Sequence, residues 1–265
     1  MEETQTVTRM TWEHDQLHQD TDTVVAELPV ALVYNGVSHV VTMATPSHLL
    51  DLALGFSLSE GILDSPGQML DCELRQQEQG VELQMRVTAG PFAALKQRRR
   101  NLTGRTGCGL CGLESLQQAI PAPVRVTQDC RIGHSALQNA IATLVEAQSL
   151  KRLTGGVHGA AWCNSAGAID LLREDVGRHN ALDKLLGALQ GFEHAGDGFV
   201  LVTSRASYEM VAKVASCNIP ILAAVSAPTS LAVQHAQLCG VTLAGFVQVG
   251  RQVVYSHPHR IREGS

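Results

Sequence analysis

The spacing of apolar and polar residues divides the chain into two rhythms. In the first, Val24 to Thr45 holds two apolar runs around Asn35-Gly36, the strongest short-range signal for a β-hairpin. Thr45-Pro46 then supplies a capping residue and a proline suited to a first helical turn, which predicts an amphipathic helix over Ser47 to Glu60. Around Gly80, the polar residues Glu82, Gln84 and Arg86 alternate with Val81, Leu83, Met85 and Val87, the period of a half-buried strand pair. Phe92 to Arg100 predicts a short helix, followed by a glycine-containing loop from Asn101 to Gly112. Pro121, Pro123 and polar residues up to Asp129 then resemble a linker.

From Ser135 onward the rhythm changes. Leu137, Ile141, Leu144 and Val145 mark a helix, and two extended runs, Val157 to Cys163 and Ala168 to Arg173, flank a turn at Asn164 to Gly167. Solid apolar strands at 199–203, 219–225 and 241–249 then alternate with helices at 181–189, 208–217 and 229–238. Uninterrupted apolar strands separated by helices imply right-handed crossovers and a mostly parallel sheet covered on both faces. The expected organisation is an α/β chain: a mobile polar tail (residues 1–22), a small α+β domain (23–100), a loop and linker (101–130) and an α/β domain (131–265).

Composition narrows the class. With 45% hydrophobic and 17% charged residues, the chain has the profile of a globular α/β protein rather than a disordered one. Its 20 basic and 25 acidic residues leave a net charge of −5, which argues against a general nucleic-acid binder. Val214 to Gly250 carries no Asp, Glu, Lys or Arg, yet Pro220, Pro228 and Gly240 break it into short elements, so a buried core is expected and no membrane span. The acidic N-terminus has no apolar signal core, and the expected location is the cytoplasm. Of seven cysteines, only Cys108 and Cys111 are closely spaced; Cys72, Cys130, Cys163, Cys217 and Cys239 are scattered, mostly among apolar neighbours. That suits a reducing compartment with one working thiol pair.

Gly107 to Gly112 frames the pair as G-C-G-L-C-G. Two thiols at this spacing can share a metal, or one can carry an adduct that the other resolves. Structural zinc needs a second such pair or a nearby Cys/His set, and none follows, so no intrinsic metal is expected. No acid lies between Glu82 and Glu114, while Arg86, Lys96, Arg98, Arg99, Arg100 and Arg105 supply six positive charges. Cations lower a thiol's pKa and draw a polyanion towards it. The second candidate is the set of loops after the apolar strands: Glu174 to Asn180, Ser204 to Ser207 and Ser226 to Ser230. In a parallel sheet all lie at one edge and open helix N-termini that suit anions, although Ser204, Ser207, Thr229 and Ser230 are also ordinary caps. The last strand ends there with Phe246, Val247, Gln248, Val249, Gly250 and Arg251, an aromatic and an arginine suited to a nucleotide. A lone His158 among glycines is a ligand candidate more often structural.

Arg105–Glu114 together with Glu174–Lys184 closely resembles the FdhD family of accessory sulfurtransferases required for active formate dehydrogenase. Thr203–Lys213, Ala227–Ala232 and Val254–Ile261 support the likeness, which spans about residues 24 to 262. The resemblance implies a cytidine-deaminase-like fold for the C-terminal domain and a sulfur relay. In it, a cysteine desulfurase places a persulfide on Cys108 or Cys111. The sulfur then passes to the molybdenum bis(molybdopterin guanine dinucleotide) cofactor, bound as substrate, before that cofactor enters formate dehydrogenase. It also implies a homodimer and a cofactor contact at Phe246 to Arg251, where Gln248 departs from the arginine family members often carry. Zinc deamination is excluded by the motif order: the cysteine pair precedes His158, and Ala160 stands where the proton-shuttling glutamate would be. A thioredoxin-like role lacks its strand-then-helix setting. The remaining alternative is a non-catalytic carrier of the molybdenum cofactor.

Overall fold

The computed structural model describes residues 1–103, 122–192 and 197–263, with the side chains of residues 98–103 outside that description. At the N-terminus, β1 (Thr4–Glu13) and β2 (Gln16–Val25) form a two-stranded antiparallel ribbon where an unstructured tail was expected. The signal was present: threonines recur at alternate positions, and the turn residues His14 and Asp15 both take positive φ, the conformation of a tight two-residue hairpin. Arg9 ties the strands by reaching Asp20 and Asp22, each at 2.8 Å.

The first compact layer is a four-stranded sheet in the order β4-β3-β6-β5, made by β3 (Leu28–Tyr34), β4 (Val37–Ala44), β5 (Met69–Gln77) and β6 (Gly80–Val87). The Asn35-Gly36 turn adopts the expected geometry, both residues at positive φ, and the Asn35 carboxamide pairs with the Val87 backbone at 2.8 and 3.0 Å. Helix α1 (Leu49–Ser59) starts later than Thr45-Pro46 predicts, and its N-cap is His48 in the left-handed region. Thr45 is not a cap because its backbone is engaged elsewhere: its N–H donates to Asp175 and its carbonyl accepts from Lys184. Helix α2 (Ala89–Thr103) closes this half.

In the second half, β7 (Ile132–Gly133) leads into α3 (His134–Ala147) and α4 (Ser149–Thr154). The central sheet follows: β8 (His158–Asn164), β9 (Ile169–Asp175), β10 (Gly198–Val202), β11 (Ile221–Ala224), β12 (Thr242–Gln248) and β13 (Arg251–Ser256), in the order β13-β12-β11-β10-β8-β9. Short β14 (Ile261–Arg262) pairs with β7. Helices α5 (Arg178–Leu189), α6 (Tyr208–Ser216) and α7 (Ser230–Cys239) complete the alternation. The sheet is mixed rather than mostly parallel: β10–β11 and β11–β12 are parallel, while β10–β8, β8–β9 and β12–β13 are antiparallel. The tight links at Asn164–Gly167 and after Gln248 leave no room for a crossover, so they join only antiparallel neighbours. Even so, β9, β10, β11 and β12 all point the same way and end at one edge. Strand β10 shows the two-sided burial directly, with Val200 and Val202 in the core under α5 to α7 and Phe199 and Leu201 in the core under α3.

The two halves meet where α1 crosses α5. A Cβ on Gly55 would lie 1.7 Å from the Asp183 carbonyl oxygen, and one on Gly187 would lie 2.0 Å from that of Asp51. Both obstacles are helical backbone, so neither can step aside. Gly55→Ala and Gly187→Ala should each destabilise the fold by about 3 kcal/mol through overpacking. Gly90→Ala, with open space around it, should be neutral or slightly stabilising. Urea denaturation midpoints of the three variants check the contrast.

A candidate cleft at the carboxyl edge of the sheet

The edge to which β9–β12 point opens into a cleft of about 810 Å³ between the two halves of the molecule. One wall comes from β4 and α1 (Val41, Met43, Phe56, Glu60), the other from the β9–α5 turn and α6 (Arg178, His179, Tyr208, Glu209, Lys213). His158 opens β8 opposite Asp175, which brings it to the same edge, and His235 of α7 joins it. Two of the three post-strand loops and the end of β12 are joined by backbone hydrogen bonds. Ala206 N–H donates to the Ala227 carbonyl at 3.2 Å, Thr229 N–H to Ala206 at 3.0 Å, and Phe246 N–H to Ser226 at 3.1 Å. Of the expected caps, Thr229 accepts a hydrogen bond from the Ala232 N–H, whereas the Ser207 side chain makes no cap bond.

Two buried lysines hold the walls. Lys184 Nζ sits 2.6 Å from Asp175 with both side chains fully buried, and it also donates to the Thr45 carbonyl at 3.0 Å. Asp175 further accepts from the N–H groups of Thr45 and Gly177 and from the Asn180 carboxamide, which itself donates to the Met43 carbonyl at 2.7 Å. This network pins the end of β4 to the first turn of α5. Lys213 Nζ lies 2.6 Å from Glu60 and 3.0 Å from both Asp183 and Ser59, which joins the end of α1 to α5 and α6. Burial opposes the charge on Lys213, but the Asp183 and Glu60 carboxylates outweigh it and raise its pKa. Burial also pushes Asp183 up. With the Ser59 hydroxyl at 2.6 Å and the ammonium at 3.0 Å on its oxygens, the ion pair is the form that the geometry fits.

Glu209, Lys213 and Glu60 escaped the sequence reading as cleft groups. A lysine inside the apolar periodicity of Met210 to Ala215 was the available signal, because a charge on a buried helical face needs a partner. The Phe246–Arg251 segment lies at the same edge, spanning the end of β12, the turn at Val249-Gly250 and the start of β13, but none of its residues lines the cleft. The Arg251 guanidinium stands 5.7 Å from the Phe246 ring centroid, and Val249 is 78% exposed. Val247 packs into the core instead, so its side chain faces no ligand. Cys108, Cys111 and Arg105 lie outside the described residues. Ala122 and Val124 form part of the cleft wall. The remaining cysteines are poor nucleophiles: burial pushes the thiol of Cys72 up to about 11 and those of Cys163 and Cys217 up to about 12, and it also raises Cys130 and Cys239.

The model of the FdhD/NarQ family matches residues 25–262, nearly all of this architecture. The chain belongs to the FdhD/NarQ family. It is 51% identical over 252 residues to a protein of Cupriavidus necator named "Sulfur carrier protein FdhD", covering 95% of this chain and 88% of that one. A protein of the same name from Xanthomonas euvesicatoria is 50% identical over 244 residues, covering 92% and 87%. The crystal structure of a putative formate dehydrogenase accessory protein from Desulfotalea psychrophila shares the fold, with a TM-score of 0.75 over 98% of this chain and 99% of that one, at 23% identity. In this family member, among the described residues, no helix is long and apolar enough to cross a membrane.

Burial depresses His158, His179 and His235 below the ordinary histidine value, with Arg178 adding to the effect at the first two. A depressed histidine binds its proton more readily in the unfolded chain, so its contribution to stability is present above about pH 6.5 and lost as pH falls towards the folded value. The urea midpoint should therefore hold steady above neutrality and fall from pH 6.5 downward. A His158→Gln/His235→Gln double variant should flatten that slope.

Proposed function

We propose that this chain is a sulfurtransferase that carries sulfur as a cysteine persulfide on the Cys108–Cys111 pair. It receives the sulfur from a cysteine desulfurase and passes it to the molybdenum bis(molybdopterin guanine dinucleotide) cofactor destined for formate dehydrogenase. The carrying observation is the state of the other thiols: all five described cysteines are suppressed by burial, which leaves the glycine-flanked pair as the place for a reactive thiolate. Full-length likeness to proteins named sulfur carriers supports the reading. Within the pair, Cys108 follows Arg105 and carries the sulfur; Cys111 attacks the persulfide and releases it. The helix–hairpin–alternating order of residues 134–256 supports the cytidine-deaminase-like description of this half, and we assign the protein to the cytoplasm as a homodimer.

The test is peptide mapping of the trapped adduct after incubation with a desulfurase and cysteine. Cys108→Ala should lose both sulfur loading and formate dehydrogenase activation, whereas Cys111→Ala should load one sulfur and deliver it poorly. Sulfur on Cys130, Cys163, Cys217 or Cys239 would end the reading, and protein that binds cofactor but never loads sulfur would be a non-catalytic carrier.

Charge shapes the expectation for the cofactor. The described cleft lining carries the carboxylates of Glu27, Glu60, Asp183 and Glu209 against the cations of Arg178 and Lys213. A pyrophosphate therefore needs positive charge from elsewhere, and the acid-free stretch from Arg86 to Arg105 is the available supply. Replacing Arg98, Arg99 and Arg100 with Gln should weaken guanosine diphosphate binding and flatten its salt dependence. Calorimetry on Arg178→Ala and Arg251→Ala then separates the cleft from the β12–β13 turn: the guanine nucleotide site lies beside whichever arginine is needed.

A further inference from the structure

The β1–β2 ribbon adds no residue to the hydrophobic cores. Its root is fixed: Ala26 N–H donates to the Glu3 carbonyl at 2.8 Å, and β2 packs beside α4. Beyond the root it projects, and every residue from Trp12 to Thr21 is exposed. The register sorts its side chains onto two faces, because cross-strand partners and alternate residues point the same way. One face bears the pairs Trp12–Leu17 and Met10–Gln19, then threonines towards the root, and carries no charge. The other bears Glu13, His18 and the cluster of Arg9 with Asp20 and Asp22. Trp12 is 71% exposed, Met10 58% and Leu17 47%, so the uncharged face ends in an apolar tip held in water.

Charge is concentrated there too. Residues 1–25 hold six acids and one base, Arg9, so the ribbon carries the whole net charge of −5, while residues 26–265 hold 19 acids and 19 bases. Arg9 is engaged with Asp20 and Asp22, which leaves Glu13 and Asp15 as the acids beside the Trp12 tip. We propose that the ribbon is a docking arm: Trp12 anchors in an apolar pocket of a partner protein, and Glu13 and Asp15 meet a basic rim around that pocket. An exposed tryptophan on a firm support is the residue type that dominates such contacts. The acidic side repels nucleic acid and anionic lipid, so the partner is a protein. A second copy of this chain fits less well. The uncharged face measures about 34 Å by 10 Å, a few hundred Å², against the roughly 800 Å² that each partner buries in a stable complex. Two stacked ribbons would also bring two charges of −5 together. A small, charge-steered contact suits a partner that binds and then leaves.

The arm is preformed. A two-stranded hairpin alone is marginally stable in water, but this one is closed by Arg9, at 2.8 Å from both aspartates, and fixed at its root. Docking therefore orders little new chain, and more of the contact energy remains for binding. The arm also lies ahead of residues 25–262, the stretch that the family model matches. The sulfur-carrier reading above supplies the two probes for the test, the sulfur donor and the cofactor acceptor, and the inference rests on it to that extent.

The experiment is fluorine NMR on full-length protein labelled with 5-fluorotryptophan, titrated with unlabelled cysteine desulfurase and, separately, with apo-formate dehydrogenase. The chain has two tryptophans and Trp162 is only 4% exposed, so the resonance that shifts between light and heavy water reports Trp12. At least one probe should abolish that solvent shift. Trp12→Ser/Leu17→Ser should keep the parent's urea midpoint, since neither residue joins a core, yet bind that probe about thirtyfold more weakly. Glu13→Lys/Asp15→Lys should slow association about tenfold at low salt and leave dissociation nearly unchanged. A Trp12 resonance that stays solvent-exposed at saturation with both probes overturns the arm, as does binding that neither double variant alters. A solvent shift lost when the protein alone is concentrated, with a dimer in sedimentation, overturns the partner in favour of a second copy. Sulfur loading, read by mass on the same samples, separates the two readings. Parent protein that docks through Trp12 but never loads sulfur keeps the arm and overturns the carrier; parent that loads sulfur with Trp12 exposed throughout overturns the arm alone.

Discussion

The crossing of α1 and α5 at Gly55 and Gly187 is the contact on which the rest of the molecule depends. Because the two backbones approach so closely, side chains on either flank of the crossing are brought within bonding distance across the boundary between the halves. Arg173 meets Asp51 at 2.8 Å on one side, and Ser59 and Glu60 reach Lys213 and Asp183 on the other. A larger residue at either glycine would pull those groups apart as well as strain the helices. Small residues here set the geometry of charged ones.

Burying two lysines and two aspartates at a domain boundary is costly unless every charge is paired. Here each is. Asp175 collects a lysine, two backbone N–H groups and a carboxamide; Lys213 has three oxygen partners. Such networks discriminate between arrangements more than they stabilise, because a shifted register leaves a charge unmatched in a low-dielectric interior. The consequence is a cleft with fixed walls, in which His179, Glu209 and Tyr208 are presented by helix N-termini that cannot drift relative to β4.

That rigidity complements the chemistry assigned to the glycine-flanked cysteine pair. A carrier thiol has to visit a donor and an acceptor, and glycines on both sides suit that travel. A cofactor pocket has to stay in place. The scattered cysteines sit in that framework, where burial suppresses their thiols.

Much of this was legible in the residue pattern. Local rules located the Asn35-Gly36 hairpin, the alternation of helices and apolar strands after residue 134, and the common sheet edge of the post-strand loops, since strand direction follows from connection length. They misjudged the first 22 residues, where threonine alternation marks a ribbon, and the sheet's parallel character, which short links at both edges override. The cysteine pair stood out because its chemistry is written in adjacent residues. The cleft did not. His179 and Glu209 are 30 positions apart in sequence, and Glu60 and Lys213 are separated by 153. No local spacing signals such pairs; the first comes from the packing of α5 beside α6, and the second from the close approach of α1 to α5 at Gly55 and Gly187. Tertiary structure alone also decided that Thr45 gives its backbone to Asp175 and Lys184 rather than capping α1, and that Val247 faces the core while Arg251 faces solvent, because those outcomes depend on what lies opposite each residue once the sheet is assembled.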